Sequence, residues 1–232
     1  EELSRAILEK GEVYGIPANL FEENCQIFLV PMVDPDGVDL VTGGIARGSI
    51  QWEQAKRLSN NCPSVPFPNG WKANLLGVDL NLQYPAGWLQ AREIKFSQGY
   101  TRPGPRDYVG KAPLTQRESR ALADFTNYLD PALILAYHTQ GEQIYWKYDD
   151  VDVPGALALG QEFARLSGYS LEETPYASGF AGYKDWFIKV WRRPGFTIEA
   201  GLGENPLPIS QFDTIYAKNL GILTTAALGL PA

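Results

Sequence analysis

Apolar residues run along this chain in two alternating patterns. Short unbroken runs, Ile27-Phe28-Leu29-Val30 and Leu133-Ile134-Leu135-Ala136-Tyr137, lack the polar-out alternation of a half-exposed strand and read as strands buried on both faces. Gly77-Val78-Asp79-Leu80 and Gly195-Phe196-Thr197-Ile198 are two further β-prone runs. Helical spacing lies between them. Glu1 to Lys10 puts Leu3, Ala6 and Ile7 on one face, with no capping residue ahead of it, so the chain reads as beginning inside an element with an N-terminal segment missing. Thr115-Gln116-Arg117-Glu118 is a capping box that opens a helix to about Leu129, where Asp130-Pro131 stops it. Ser210-Gln211-Phe212-Asp213 opens a last helix with Phe212, Ile215, Tyr216, Ile222 and Leu223 on its inward side. Strands alternating with helices predict an α/β fold.

The four runs share one grammar: each leads into polar residues. The first reaches Asp34-Pro35-Asp36-Gly37, the second Asn81, the third His138 and the fourth Glu199. In open α/β sheets ligands bind in the crevice outside the carboxyl ends of the strands, so these termini are expected to converge on one site. Gln83 to Pro113, rich in Gly, Pro, Tyr and Arg, reads as a long irregular segment that either covers a binding site or is anchored to the surface. Pro63 to Gly70 is a shorter segment of the same kind.

Composition narrows the chemistry. The length of 232 residues suits one domain, 1–232, with a sizeable core. A formal net charge of −7 argues against gripping nucleic-acid phosphates. No apolar run approaches the roughly 18 to 20 residues that cross a bilayer. Cys25 and Cys62 have no Cys-x-x-Cys spacing and indicate neither a thiolate metal site nor a disulfide scaffold. His138 is the only histidine, so imidazole chemistry has one address, although a lone histidine at a strand end is more often a hydrogen-bonded structural residue than a ligand. Glu199 closes a β-prone run in a place where an unpaired carboxylate would be costly to bury.

A metal hydrolase needs an ion with an open position and a carboxylate to take a water proton, roles open to His138 and Glu199, but nothing beside either completes a ligand set. A serine hydrolase lacks its Gly-x-Ser-x-Gly elbow, since Ala177-Ser178-Gly179 lies in a flexible stretch. A glycosidase would need two carboxylates, and no spacing among the 27 acids selects a pair.

Phe196-Thr197-Ile198-Glu199 resembles the strand that carries the general-base glutamate of the zinc carboxypeptidases of the carboxypeptidase A type. Three further blocks agree in order. Asp34-Pro35-Asp36-Gly37 is similar to that family's Asn-Pro-Asp-Gly turn, Gly77-Val78-Asp79-Leu80-Asn81 to its Gly-Val-Asp-x-Asn strand end, and Tyr137-His138-Thr139 to the strand with its third zinc ligand. The resemblance implies a mixed, mostly parallel sheet flanked by helices, a Zn2+ cofactor, His138 as a metal ligand and Glu199 as the base. Lys72 falls near an arginine that polarises the scissile carbonyl; it would be a point charge there, or else a solvated loop lysine. Tyr176 matches a substrate-contacting loop tyrosine, with a packed loop residue as the alternative, and Asn81 and Arg192 are expected to bind substrate.

Two departures matter. The family's first two zinc ligands come from a His-x-x-Glu motif ahead of the segment that Glu1 to Lys10 resembles, and that motif is absent, so the chain is expected to hold at most half a metal site and to be inactive alone. Leu82 stands where exopeptidase members place an arginine for the terminal carboxylate, which argues for different recognition. Gly77 to Trp88, His138 to Glu142 and Glu199 to Pro206 look most like the bacterial γ-D-glutamyl-L-diamino acid endopeptidases. That branch implies cleavage of γ-D-glutamyl-meso-diaminopimelate bonds in peptidoglycan stem peptides, with Glu142, Glu204, Arg192 and Arg193 as candidate partners of the diamino acid and wall-binding modules upstream. Conventional carboxypeptidase action and a non-catalytic muropeptide-binding fragment are the alternatives. A bacterial protein of the cytoplasm, cell wall or spore fits equally.

Overall fold

The computed structural model describes residues 2–229; Glu1, where the expected opening helix starts, lies outside them. In chain order the elements are α1 (Glu2–Glu9), β1 (Glu12–Val13), β2 (Ile16–Pro17), α2 (Ala18–Asn24), α3 (Pro35–Thr42), α4 (Ile50–Ser59) and α5 (Trp88–Ser97). They continue with α6 (Arg117–Leu129), β3 (Ile134–His138), β4 (Gln143–Tyr145), α7 (Ala156–Ser167), β5 (Ser170–Glu172), α8 (Tyr183–Trp191), β6 (Gly195–Glu199) and α9 (Phe212–Leu228).

A four-stranded sheet in the order β3-β6-β4-β5 lies at the centre. The β3–β6 and β4–β5 pairs are parallel and β4–β6 is antiparallel, so the sheet is mixed and mostly parallel, as expected. Along β6 side chains alternate between faces. Phe196 and Ile198, fully buried, join Ile144, Phe163, Tyr169 and Ile222 in a core made with α7 and α9. Gly195 lies on the other face against Phe187 and Ile188 of α8, where an added Cβ would come within 3.2 and 3.3 Å. Helices on both faces explain why Gly195 to Ile198 are all buried, Thr197 included.

The structure corrects five expectations. Ile27 to Val30 form no strand; they are irregular and 40–54 % exposed, because an apolar run becomes a strand only where a neighbour offers a ladder. Gly77 to Leu80 also form no strand. The Asn74 side chain accepts from the amides of Leu76 and Val78, and that of Asp79 from Asn81, so side chains capture the backbone donors and a 3-10 turn at Leu80–Leu82 follows. Gln83 to Pro113 is not irregular throughout, since it contains α5. The capping box at α6 is not made: Gln116 is the N-cap, Thr115 Oγ1 bonds Gln83 and Ala112, and Glu118 accepts from Asn74. On α9, Ile222 is buried but Phe212 is 48 % exposed, stacked on Tyr216.

Candidate active site

Parallel pairing of β3 with β6 places His138 opposite Glu199 in register. In-register residues of parallel neighbours point to the same face, with strands about 4.8 Å apart. The two side chains predicted to share the chemistry therefore stand side by side, both lining an open cleft of about 820 Å³ together with Lys72, Asn81, Tyr145 and Thr197. That volume accommodates a short peptide.

Burial sets the protonation of both groups. It pushes the His138 imidazole down to about 4, helped by the Lys72 ammonium and opposed by Asp79. The ring is thus neutral at pH 7, the form that ligates a metal. Glu199 moves upward from the usual carboxylate range, again through burial, and the nearby Lys72 charge pulls it partly back. A carboxylate raised in this way accepts a proton more readily at neutral pH. Because His138 is the sole histidine of this chain, a single imidazole Cε1–H resonance reports it. In metal-free protein that resonance is expected to titrate near pH 4; a midpoint near 6.5 would show a solvated ring. Its depressed folded-state value means that this residue's contribution to stability is intact above about pH 6.5 and fades as pH falls towards 4.

The opposite wall is built around Asp79, 1 % exposed. Its Oδ2 accepts from Lys72 Nζ at 3.0 Å and from the Asp107 amide at 3.2 Å, while Oδ1 accepts from the Asn81 amide at 3.2 Å. Gly77, two residues earlier, has φ +74 and an added Cβ there would lie 2.7 Å from the Gly104 nitrogen, so only glycine lets the two loop backbones meet behind this wall. Lys72 reaches the cleft while held by Asp79, and two of its three donors stay available. Asn81 lines the cleft, and its Oδ1 accepts from the Tyr183 amide at 3.0 Å, fixing the start of α8. Asp34 caps α3 by accepting from the Gly37 amide at 3.1 Å, and burial raises its carboxyl to about 7. The block expected as a turn is therefore a helix start. An added Cβ at Gly37 would lie 2.2 Å from Asp34 Oδ2, so only glycine tolerates that closeness.

Tyr176 is 73 % exposed, edge-on to Phe180 at 5.2 Å; its neighbours Pro175 and Ser178 line the cleft, so it stands at the rim. Arg192 is not brought to the site. It is the exposed C-cap of α8, just before the start of β6, and Glu199 ends that strand about 13 Å further on. Arg193 pairs with Asp130 at 2.8 Å and Glu142 with Lys218 at 2.5 Å, while Glu204 is exposed beside the cleft residue Asn205. Reading the sequence overlooked Asp79 as an organiser and Arg106 as a cleft residue. Asp79 lies inside a recognised block, and an adjacent Arg106-Asp107 charge pair in a Gly/Pro-rich loop was the remaining signal.

Among the described residues, no three His, Cys, Asp or Glu side chains gather as a metal-binding group. They include one imidazole, that of His138, and no closed set of donors. No helix among them is long and apolar enough to cross a membrane.

Comparison with known proteins places the chain among its relatives. The chain is 46% identical over 217 residues to γ-D-glutamyl-L-diamino acid endopeptidase 1 of Lysinibacillus sphaericus, covering 94% of this chain and 52% of that protein. It is 40% identical over 210 residues to the uncharacterized protein YqgT of Bacillus subtilis (strain 168), covering 90% and 54%. The chain thus spans about half the length of the curated relatives it matches. In fold it is similar to carboxypeptidase A from Helicoverpa armigera, with a TM-score of 0.54, 18% identity and coverage of 86% of this chain and 48% of that one. The zinc carboxypeptidase family profile matches residues 18–220, and the chain belongs to that family.

Proposed function

We propose that these residues form one catalytic unit of a peptidase that hydrolyses γ-D-glutamyl–diamino acid amide bonds in bacterial peptidoglycan stem peptides. The observation that carries this reading is the in-register pair of His138 and Glu199 facing one cleft, in a chain 46% identical to a γ-D-glutamyl-L-diamino acid endopeptidase. Glu199 takes the proton of the attacking water and passes it to the leaving amine. Lys72, anchored by Asp79, faces the negative charge that develops on the scissile carbonyl oxygen. Tyr176 at the rim covers bound peptide. Zinc, the cofactor of this family, supplies Lewis acidity when bound, and His138 is the ligand that these residues contribute to it. The chain spans about half the length of its curated relatives, and the described residues leave the other ligand positions open.

The test is made on the full-length protein. Stoichiometric zinc and release of free diaminopimelate-containing peptide from a γ-D-glutamyl-diaminopimelate stem peptide are expected, with activity lost on chelation and restored by zinc. Rapid trimming of simple α-linked peptides without preference for the stem peptide would favour a conventional carboxypeptidase. Tight binding of the stem peptide with no product would mark a binder.

A further inference from the structure

The wall beside Lys72 carries a charge pair, Arg106 with Asp107, that the proposed hydrolysis does not use. Asp107, 7 % exposed, has both carboxylate oxygens occupied: Oδ1 by Lys95 Nζ and Oδ2 by Arg106 Nε, each at 2.7 Å. Its backbone sits at φ 63, outside the usual range for a residue other than glycine, and from there its amide donates to Asp79. Three cations, Lys72, Lys95 and Arg106, therefore share two carboxylates, Asp79 and Asp107, in direct ion pairs, one carboxylate short of a pair each.

That shortfall is exposed at Arg106. Lys95 is buried against Asp107, and Lys72 is held by Asp79. Arg106, with 44 % of its side chain exposed, lines the cleft and is anchored through Nε alone, so both terminal nitrogens carry no hydrogen bond among the described residues. The residue before it, Pro105, accepts through its carbonyl from the amides of Lys72 and Ala73 at 2.7 and 3.0 Å, which fixes Arg106 next to the carbonyl-facing lysine. A guanidinium pinned at Nε and free at both ends is a preorganised fork for a carboxylate. The other cleft lysine, Lys184, does not compete for this role: its ammonium is spent on Asp185, the Lys147 carbonyl and Thr174.

We infer that Arg106 is a specificity-determining residue that binds a free carboxylate of the substrate beside the scissile bond. The inference rests on the proposed function for its ligand. A glutamyl residue linked through its side chain keeps its own α-carboxylate a few bonds from the scissile carbonyl, an acid that an α-linked peptide lacks there. The diamino acid brings carboxylates on the leaving side. The chemistry is shared, and the experiment separates the sources.

Hydrolysis of the γ-linked dipeptide γ-D-glutamyl-meso-diaminopimelate by the full-length wild-type protein tests the proposed function. Arg106 is tested separately, by titration calorimetry in a Glu199→Gln background with and without Arg106→Gln. The ligands are that dipeptide and three analogues, each with one carboxylate as an amide: the glutamyl α-carboxylate, the diamino acid α-carboxylate or its side-chain carboxylate. Arg106→Gln is expected to weaken the parent dipeptide by about 10- to 100-fold, the range of a charge-assisted hydrogen bond. It should leave one amide analogue unchanged, and that analogue names the carboxylate. Arg106→Lys, which keeps the charge without the fork, should fall between. Equal losses for the parent and all three amides, no loss at all, or no binding of the parent to the Glu199→Gln protein would overturn the assignment. Melting temperatures matching the parent confirm that both Arg106 variants are folded.

Discussion

Glu199→Gln in the full-length protein is expected to lower kcat for stem-peptide hydrolysis by about 100- to 10,000-fold, the usual contribution of a positioned general base. KM should change little, because the amide keeps the size of the carboxylate. Stability should not fall. Burial raises the Glu199 carboxyl above its ordinary value, so at neutral pH the ionised group opposes folding, and a neutral amide removes that opposition. Steady-state kinetics and a thermal melt on the same preparation check both halves. Wild-type turnover in the variant would remove Glu199 from the chemistry, and a large fall in melting temperature would recast it as a structural residue.

The second large effect is expected at Asp79, which touches no substrate in the proposed scheme. Asp79→Ala strips acceptors from the amides of Asn81 and Asp107 and from Lys72 Nζ at once. Buried donors left without partners are expensive, whereas Lys72, 41 % exposed, can turn to water, so the loss is about 2–3 kcal/mol instead of that of a fully buried ion pair. For a chain of this length that is a fall in melting temperature of about 4–12 °C. Lys72 would also lose its anchor, and kcat should drop with it. A variant melting within about a degree of wild type would show that the loop 72–82 does not depend on this carboxylate.

The proposed catalytic pair and the proposed carboxylate fork differ in how visible they were beforehand. His138 and Glu199 end β-prone runs, and each belongs to a block of family-like sequence, so both could be named from the chain. Arg106 could not. Its neighbours in sequence are Pro105 and Asp107, and its place in the cleft follows from Pro105 accepting from Lys72 and Ala73, a contact between distant loops. Arg192 shows the same in reverse: near Glu199 in sequence, it stands just before the opposite end of that residue's strand.

What the sequence by itself determined was local: the β-prone runs of β3 and β6, the presence of helices α6 and α9, the stop at Asp130-Pro131 and the identity of the titratable groups. These depend on side-chain period and on backbone restrictions within a few residues. Tertiary structure alone decided that Ile27 to Val30 and Gly77 to Leu80 would not be strands, that His138 would stand opposite Glu199, and that Asp79 and Asp107 would gather three cations. A strand exists only with a partner for its backbone donors, and the Asn74 and Asp79 side chains capture several at the Gly77 turn. Register between parallel strands is likewise set by the crossover and the packing between them, so no window of neighbouring residues contains it.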